Sequence, residues 1–425
     1  MKNKILFIKI ARIFFLSMAI TIPFWMLINN IVIILGLLSS IIYFFCYKDE
    51  KRIWRSVYTA YIILYGLMII SLAYTDNLEI GFQKLEQRLI VIILPLTCFF
   101  FSRMLTRSLI KRTLKWFIYA MLVSVLLLLI VAIRKTLYYG SLNPFNEING
   151  NFFSYINFTN FLGEMHPIYF GTYIVFSIFI LGNDYFKNDN IINIRPAIRF
   201  FFILLFTIIL FLLNSFILTG LILIVFVYFL VLLIRQKKMP LIIKVLVIGL
   251  FLMSMIFSSS FVYNKFKGLD LKNDLISRDF SGTQFTAVKA RVAKTYCSID
   301  LISDNFWLGV GPGDEKSELL LYFTKNNFNH GVEKSFNSHN QYITEFIYTG
   351  VFGFISLLTL FLIVFKRGIL KNNNYLIIIG IIYFIFNLTE SGLVRNKGIC
   401  FFVFFSCLLF NLKEKETRDE LLKSI

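Results

Sequence analysis

The sequence predicts an all-α integral membrane protein of about twelve transmembrane helices, with a large extracytoplasmic loop containing short helices. Three observations predict it. Hydrophobic residues make up 58% of the 425 residues and charged residues only 16%, whereas a soluble domain is about half apolar and about a quarter charged. Apolar runs of near-spanning length recur along the chain. Lys and Arg collect in alternate connections between those runs.

A helix needs about 20 apolar residues to cross a bilayer. The runs that approach this are 10–27, 31–47, 57–74, 89–105, 114–133, 168–181, 196–213, 216–234, 241–258, 343–365, 375–388 and 399–412. The first run lacks a small-residue cleavage site and reads as a retained helix. The chain then divides into 1–260, the first nine spans with an outer loop at about 134–167, and 261–342, a large extracytoplasmic catalytic loop. The last three spans at 343–412 and a cytoplasmic tail at 413–425 complete it.

Orientation follows from charge. One set of connections carries Lys48, Lys51, Arg52 and Arg55, then Arg103, Arg107, Lys111, Arg112 and Lys115, then Arg235, Lys237 and Lys238, then Lys366, Arg367 and Lys371. The opposite set includes Asn29-Asn30 and Asn214-Ser215, which carry no charge. Positive residues stay cytoplasmic. Both termini are therefore expected inside, and 134–167 and 261–342 outside. The net charge of +19 would suggest nucleic acid in a soluble protein. Here it is a topological signal, and no nucleic-acid partner is expected; the surface partner is membrane lipid.

Long outer loops without strands or disulfides are commonly functional. In the larger one, 291–307 reads as an amphipathic helix that ends in Gly309-Val-Gly-Pro-Gly-Asp314. A glycine turn can cradle phosphate through its amides. This one lacks the Gly-Lys-Ser/Thr ending of a nucleotide loop, so it is either a plain turn or a turn that also touches substrate. Arg291 is a solvated charge or, through its planar fork, a phosphate clamp. His339, in Asn337-Ser-His-Asn-Gln-Tyr342, stands where the loop turns into the next span. It is a helix cap or a base at the water–lipid boundary. His166 occupies a matching outer position, and His330 reads as a loop tip. Glu390 and Arg395, between the last two spans, form a structural pair or meet substrate. The five cysteines show no disulfide or metal spacing, and no metal or cofactor is expected. The span middles are nearly free of charge, which favours an enzyme or surface receptor over a carrier.

The carboxy-terminal half resembles the O-antigen ligase and polymerase superfamily. The resemblance is carried in order by Arg291, Gly309-Val-Gly-Pro-Gly-Asp314, His339-Asn-Gln-Tyr342 and Gly350-Val-Phe-Gly353. Weaker echoes are Tyr74-Thr-Asp-Asn77 with Leu85-Glu-Gln-Arg88, His166-Pro-Ile-Tyr169, and Glu390-Ser-Gly-Leu393 with Gly398. The resemblance implies a metal-independent inverting glycosyltransferase of a bacterial inner membrane. Such enzymes move a glycan from an undecaprenyl diphosphate carrier to an acceptor hydroxyl on lipid A-core, or on a second carrier-linked repeat in polymerases. A polysaccharide exporter or flippase is the reading from another class.

On this resemblance His339 and Arg291 are the expected catalytic residues. Arg88, Arg278, His166, Asn340, Tyr342, Gly309, Gly311 and Glu390 are expected to bind substrate. Three positions depart from the family pattern. The usual mid-helix Ser-Arg pair is absent from Asn214-Ser-Phe-Ile-Leu-Thr-Gly220, so the second cation either comes from elsewhere, Arg88 or Arg278, or is absent. Thr295 stands in place of a Trp, and Tyr348 in place of a common acidic residue.

Overall fold

The computed structural model describes residues 2–47, 52–139, 165–213, 215–236, 240–266, 280 and 285–412. Arg278, most of the outer loop at 134–167 and the tail at 413–425 lie outside the described residues. The described residues form sixteen helices and no strand. In chain order they are α1 (Lys2–Thr21), α2 (Met26–Cys46), α3 (Ser56–Ser71), α4 (Leu78–Arg88), α5 (Ile90–Phe100) and α6 (Arg107–Tyr139). There follow α7 (Pro167–Lys187), α8 (Pro196–Leu212), α9 (Phe216–Arg235), α10 (Leu241–Phe266), α11 (Ala287–Asp304), α12 (Glu315–Lys325) and α13 (Asn329–Glu333). The last three are α14 (Gln341–Leu370), α15 (Asn374–Phe386) and α16 (Asn396–Phe410).

Among the described residues, four segments are long and apolar enough by themselves to cross a membrane: Met26–Cys46, Arg107–Arg134, Phe216–Arg235 and Gln341–Leu370. Five shorter apolar helices accompany them, as fits a multi-pass membrane protein. Each apolar run read from the sequence contains a helix, but the ends differ. The run at 89–105 holds only Ile90–Phe100 as helix. Its continuation turns back at Ser102, whose hydroxyl accepts from the Ile53 amide at 3.1 Å. Other helices overrun their apolar core, because a backbone already in helix keeps its hydrogen bonds when side chains turn polar.

Two helices form the centre. Nearly every described side chain of α7 and of α16 is buried, as expected for helices apolar all round. Aromatic rings fill the space between them and α15: Tyr173 lies 4.3 Å from Phe401, and Tyr383 stacks on Phe402 at 4.4 Å. Buried hydroxyls fix the register, Tyr173 donating to the Lys397 carbonyl at 2.8 Å and Tyr383 to that of Gly398 at 2.9 Å. Such partners are obligatory where water cannot supply them.

α14 is broken. Thr349 leaves helical geometry, and Gly350 takes φ 63° and ψ −155°, a region open essentially to glycine alone. The turn after α11 docks into this gap. Val310 donates its amide to the Ile347 carbonyl at 2.8 Å, and Val351 donates to that of Phe306 at 3.0 Å. The carbonyls and amides freed by the break are thus satisfied by the loop. The turn is held from its other side by the α3–α4 connection, where the amides of Asp76 and Asn77 donate to the Asp314 carboxylate at 2.7 and 3.0 Å.

Candidate functional site

The site is built at the end of the bundle where α7, α14 and α16 begin. The chain enters α14 through Ser338, His339 and Asn340. His339 has φ 47°, a left-handed conformation uncommon for a residue with a Cβ. It is held there from both sides. The Asn340 side chain accepts from the amides of Tyr342 and Ile343 at 2.9 and 3.2 Å and donates to the Leu388 carbonyl at 3.1 Å. Gln341 takes its amide to the Asn387 carbonyl at 2.9 Å, and its Oε1 accepts from the Leu393 amide at 2.7 Å. Thr344 and Ser391 share a hydroxyl bond at 3.0 Å. The start of α14 is therefore stapled to the α15–α16 turn that carries Glu390.

The consequence is one short contact. His339 Nδ1 lies 3.5 Å from Glu390 Oε2, close enough for the carboxylate to stabilise a protonated ring. α11 brings cations to the same place. Lys294 is only 6% exposed, and its ammonium sits 4.7 Å from the centre of the Phe336 ring. Burial first, then the neighbouring Arg291, pushes its pKa down to about 8, while Glu390 opposes. Arg291 is three residues earlier on α11, on the same face of the helix, and is exposed. From α7, His166 places its Nδ1 as acceptor for the Ile168 amide at 3.4 Å. Its pKa is lowered, chiefly by the loss of water around it. Arg395 and His339 add to that shift and Glu390 counters it. Two imidazoles and one carboxylate thus share a space with Arg395 and Lys294, and Arg291 stands beside Lys294.

The structure brings His339, Glu390 and His166 together, with Lys294 within reach of Glu390 and Arg291 beside Lys294, and with Asn340 as the cap that sets the His339 backbone. It separates the others. Arg88 is buried and bound to Glu345, Nη1 to Oε1 at 2.6 Å, with its guanidinium 4.7 Å from the Tyr348 ring. Gln341 also donates to Glu345 at 2.6 Å, and Tyr348 donates to Glu315 at 2.9 Å. Arg88 is committed to this internal network rather than to the open site. Tyr342 donates to the Phe384 carbonyl at 2.9 Å and packs in the core. Gly309 and Gly311 serve packing. A Cβ on Gly309 would lie 2.4 Å from the Ile347 carbonyl oxygen, and one on Gly311 1.9 Å from Thr75 Oγ1.

Two members of these networks were not singled out from the sequence. Lys294 could have been found by its three-residue spacing from Arg291 on a helix. Glu345 could have been found as an ionisable group inside an apolar run, which is costly and seldom idle. Among the described residues, no cluster of His, Cys, Asp and Glu has the makings of a metal site.

These features define a class: a multi-pass helical membrane protein with a cation-rich, histidine-bearing polar site at one end of its bundle. Residues 200–358, a little over a third of the chain, match the family model described as O-antigen ligase, which supports the resemblance to the O-antigen ligase superfamily. The matched segment contains Arg291, Lys294 and His339, whereas His166, Glu390 and Arg395 come from outside it. No curated protein matches the chain.

Proposed function

We propose that this protein transfers a glycan from an undecaprenyl diphosphate carrier to an acceptor hydroxyl, without a metal and with inversion, at the outer face of a bacterial inner membrane. The carrying observation is the buried Lys294, with Arg291 beside it on the same helix, facing the Glu390 of the His339–Glu390 pair. Twelve spans with both termini cytoplasmic put this cluster outside, where the alternation of basic connections directs it.

The chemistry follows from the arrangement. The leaving group is a diphosphate, whose charge grows as the glycosidic bond breaks. Fixed cations placed where water is scarce stabilise that charge most. Lys294 and Arg291 occupy this role, Arg291 with a fork suited to two phosphate oxygens. Burial makes the charged form of Lys294 costly, and a diphosphate beside it favours that form and raises its pKa. The acceptor hydroxyl is a weak nucleophile. His339 takes its proton as the new bond to the anomeric carbon forms. Glu390 then faces the imidazolium at 3.5 Å and lowers its energy. Attack opposite the departing diphosphate inverts the anomeric carbon. His166, deprived of water and held neutral, lines the same space as a hydrogen-bonding group for sugar.

The test uses purified protein in lipid nanodiscs with an undecaprenyl diphosphate-linked glycan. One arm adds lipid A-core as acceptor and the other adds only more donor. Glycan on lipid A-core supports ligation, and lengthened carrier-linked chains support polymerisation of repeat units instead. Absence of both products with folded protein and intact donor would overturn the assignment.

A further inference from the structure

The opposite end of the bundle carries a second polar cavity. α7 and α14 both run from the His339 cluster to this end. The 21 residues of α7 amount to about 30 Å at 1.5 Å per residue, roughly the thickness of the hydrocarbon core. The end of α7, the end of α14 and the starts of α6 and α15 enclose a cavity of about 220 Å³, far above the roughly 10–15 Å³ that one water needs.

Its lining is unbalanced in charge. Arg107, Lys111, Lys187 and Lys371 line it, against Asp189 alone. Asp189 is already engaged. Its carboxylate accepts from the Tyr375 hydroxyl at 2.7 Å and faces Arg107 Nη2 at 3.9 Å, while its carbonyl accepts from the Lys111 ammonium. Lys187 and Lys371 make no side-chain hydrogen bond or ion pair among the described residues. Around them stand the amides of Asn183, Asn372 and Asn374. The first turn of α15 also opens here, with Asn373 capping it through the Leu376 amide at 3.1 Å, and a helix start favours negative charge. Ile110, Leu114 and Leu412 supply an apolar side to the same cavity.

We propose that this cavity binds a phosphate-bearing anion, either an anionic lipid headgroup or free phosphate, across the membrane from the glycan site. Lys187 and Lys371 provide the uncompensated charge, and the α15 start and Asn372 provide directed donors. Basic pockets between helices at the cytoplasmic side are suited to anionic headgroups in this way. The proposal stands apart from the glycosyl-transfer reading, since it uses no residue of that site.

The experiment compares thermal unfolding of the full chain in three settings: phosphatidylcholine nanodiscs, the same with added phosphatidylglycerol, and the first with added inorganic phosphate. Stabilisation by phosphatidylglycerol alone assigns a lipid headgroup, and stabilisation by inorganic phosphate assigns the free anion. Lys187→Gln with Lys371→Gln should weaken the apparent affinity at least about tenfold, since two charge-assisted contacts to the anion are lost. Arg112→Gln with Lys366→Gln removes equal charge from exposed positions on the same end and should leave the response intact. Native mass spectrometry of each variant counts retained phosphatidylglycerol independently of stability. No stabilisation of the unaltered protein by either anion would overturn the proposal. So would an equal response in the two double variants.

Discussion

Gly350 lies so close to Trp307 that a Cβ on it would sit 2.0 Å from the Trp307 carbonyl oxygen. This approach lets the glycine turn after α11 close onto the break in α14, and so fixes α11 relative to His339. Gly350→Ala must therefore move backbone against backbone and adopt a φ of 63°, at about 1–3 kcal/mol for the conformation alone. The expected outcome is a lower unfolding temperature, together with transfer reduced by more than the loss of folded protein. Unchanged unfolding and unchanged transfer would show that the turn does not position α11.

His339→Gln should leave the protein inserted and folded. Asn340 supplies the cap, and a cap alone is worth about 1 kcal/mol. Transfer should fall on the order of a hundredfold to ten-thousandfold, the range for a lost general base, with donor binding retained. Glutamine can hold a hydrogen bond but cannot take a proton at neutral pH. Full activity in this variant would reduce His339 to a positioning role. Glu390→Gln should lower the rate less, because it removes only the stabilisation of the imidazolium.

Lys294 gives the site a pH signature. Its folded pKa of about 8 lies below the roughly 10.4 of an unfolded lysine. Between these values the unfolded chain binds more protons, so stability rises with pH across that window. Affinity for the diphosphate donor has the opposite trend, because the cation is lost as pH climbs past about 8. Lys294→Arg keeps its charge throughout and should flatten the alkaline fall in donor affinity. An alkaline limb identical in the two proteins would remove Lys294 from the diphosphate site.

The pair of Arg88 and Glu345, with side chains 5% and 1% exposed, predicts a structural phenotype. Arg88→Met strands a buried carboxylate and should cost about 3–5 kcal/mol, read as lost membrane abundance or a lowered unfolding temperature. Adding Glu345→Gln removes the stranded charge and should recover much of the loss. A normal unfolding temperature for Arg88→Met, with donor binding impaired, would return Arg88 to the phosphate site.

Sidedness is open to labelling. Lys325 is well exposed, its side chain at 69%, and Lys366 is exposed at the other end. With exposed Cys46 first changed to Ser, Lys325→Cys should react with an impermeant thiol reagent in intact cells. Lys366→Cys should react only after the membrane is opened. The reverse pattern would place the His339 site in the cytoplasm and end the proposed reaction.

The sequence by itself determined the helical membrane class, because solvent preference is a sum over composition and needs no knowledge of contacts. It also marked Arg291, His339, His166 and Glu390, whose polar character stands out against apolar surroundings. Only the tertiary structure decided which of these meet. The staple from Gln341 to Asn387 and Leu393 joins segments about fifty residues apart in the chain, and no local pattern encodes such a distance. The same limit hid the fate of Arg88. A lone arginine reads alike whether it faces phosphate or a buried carboxylate, and here Glu345, more than two hundred residues away, settled which. The glycine turn was legible as a turn. Its true role, filling the gap left by the break at Gly350, depended on two backbone surfaces approaching closely enough to exclude every side chain.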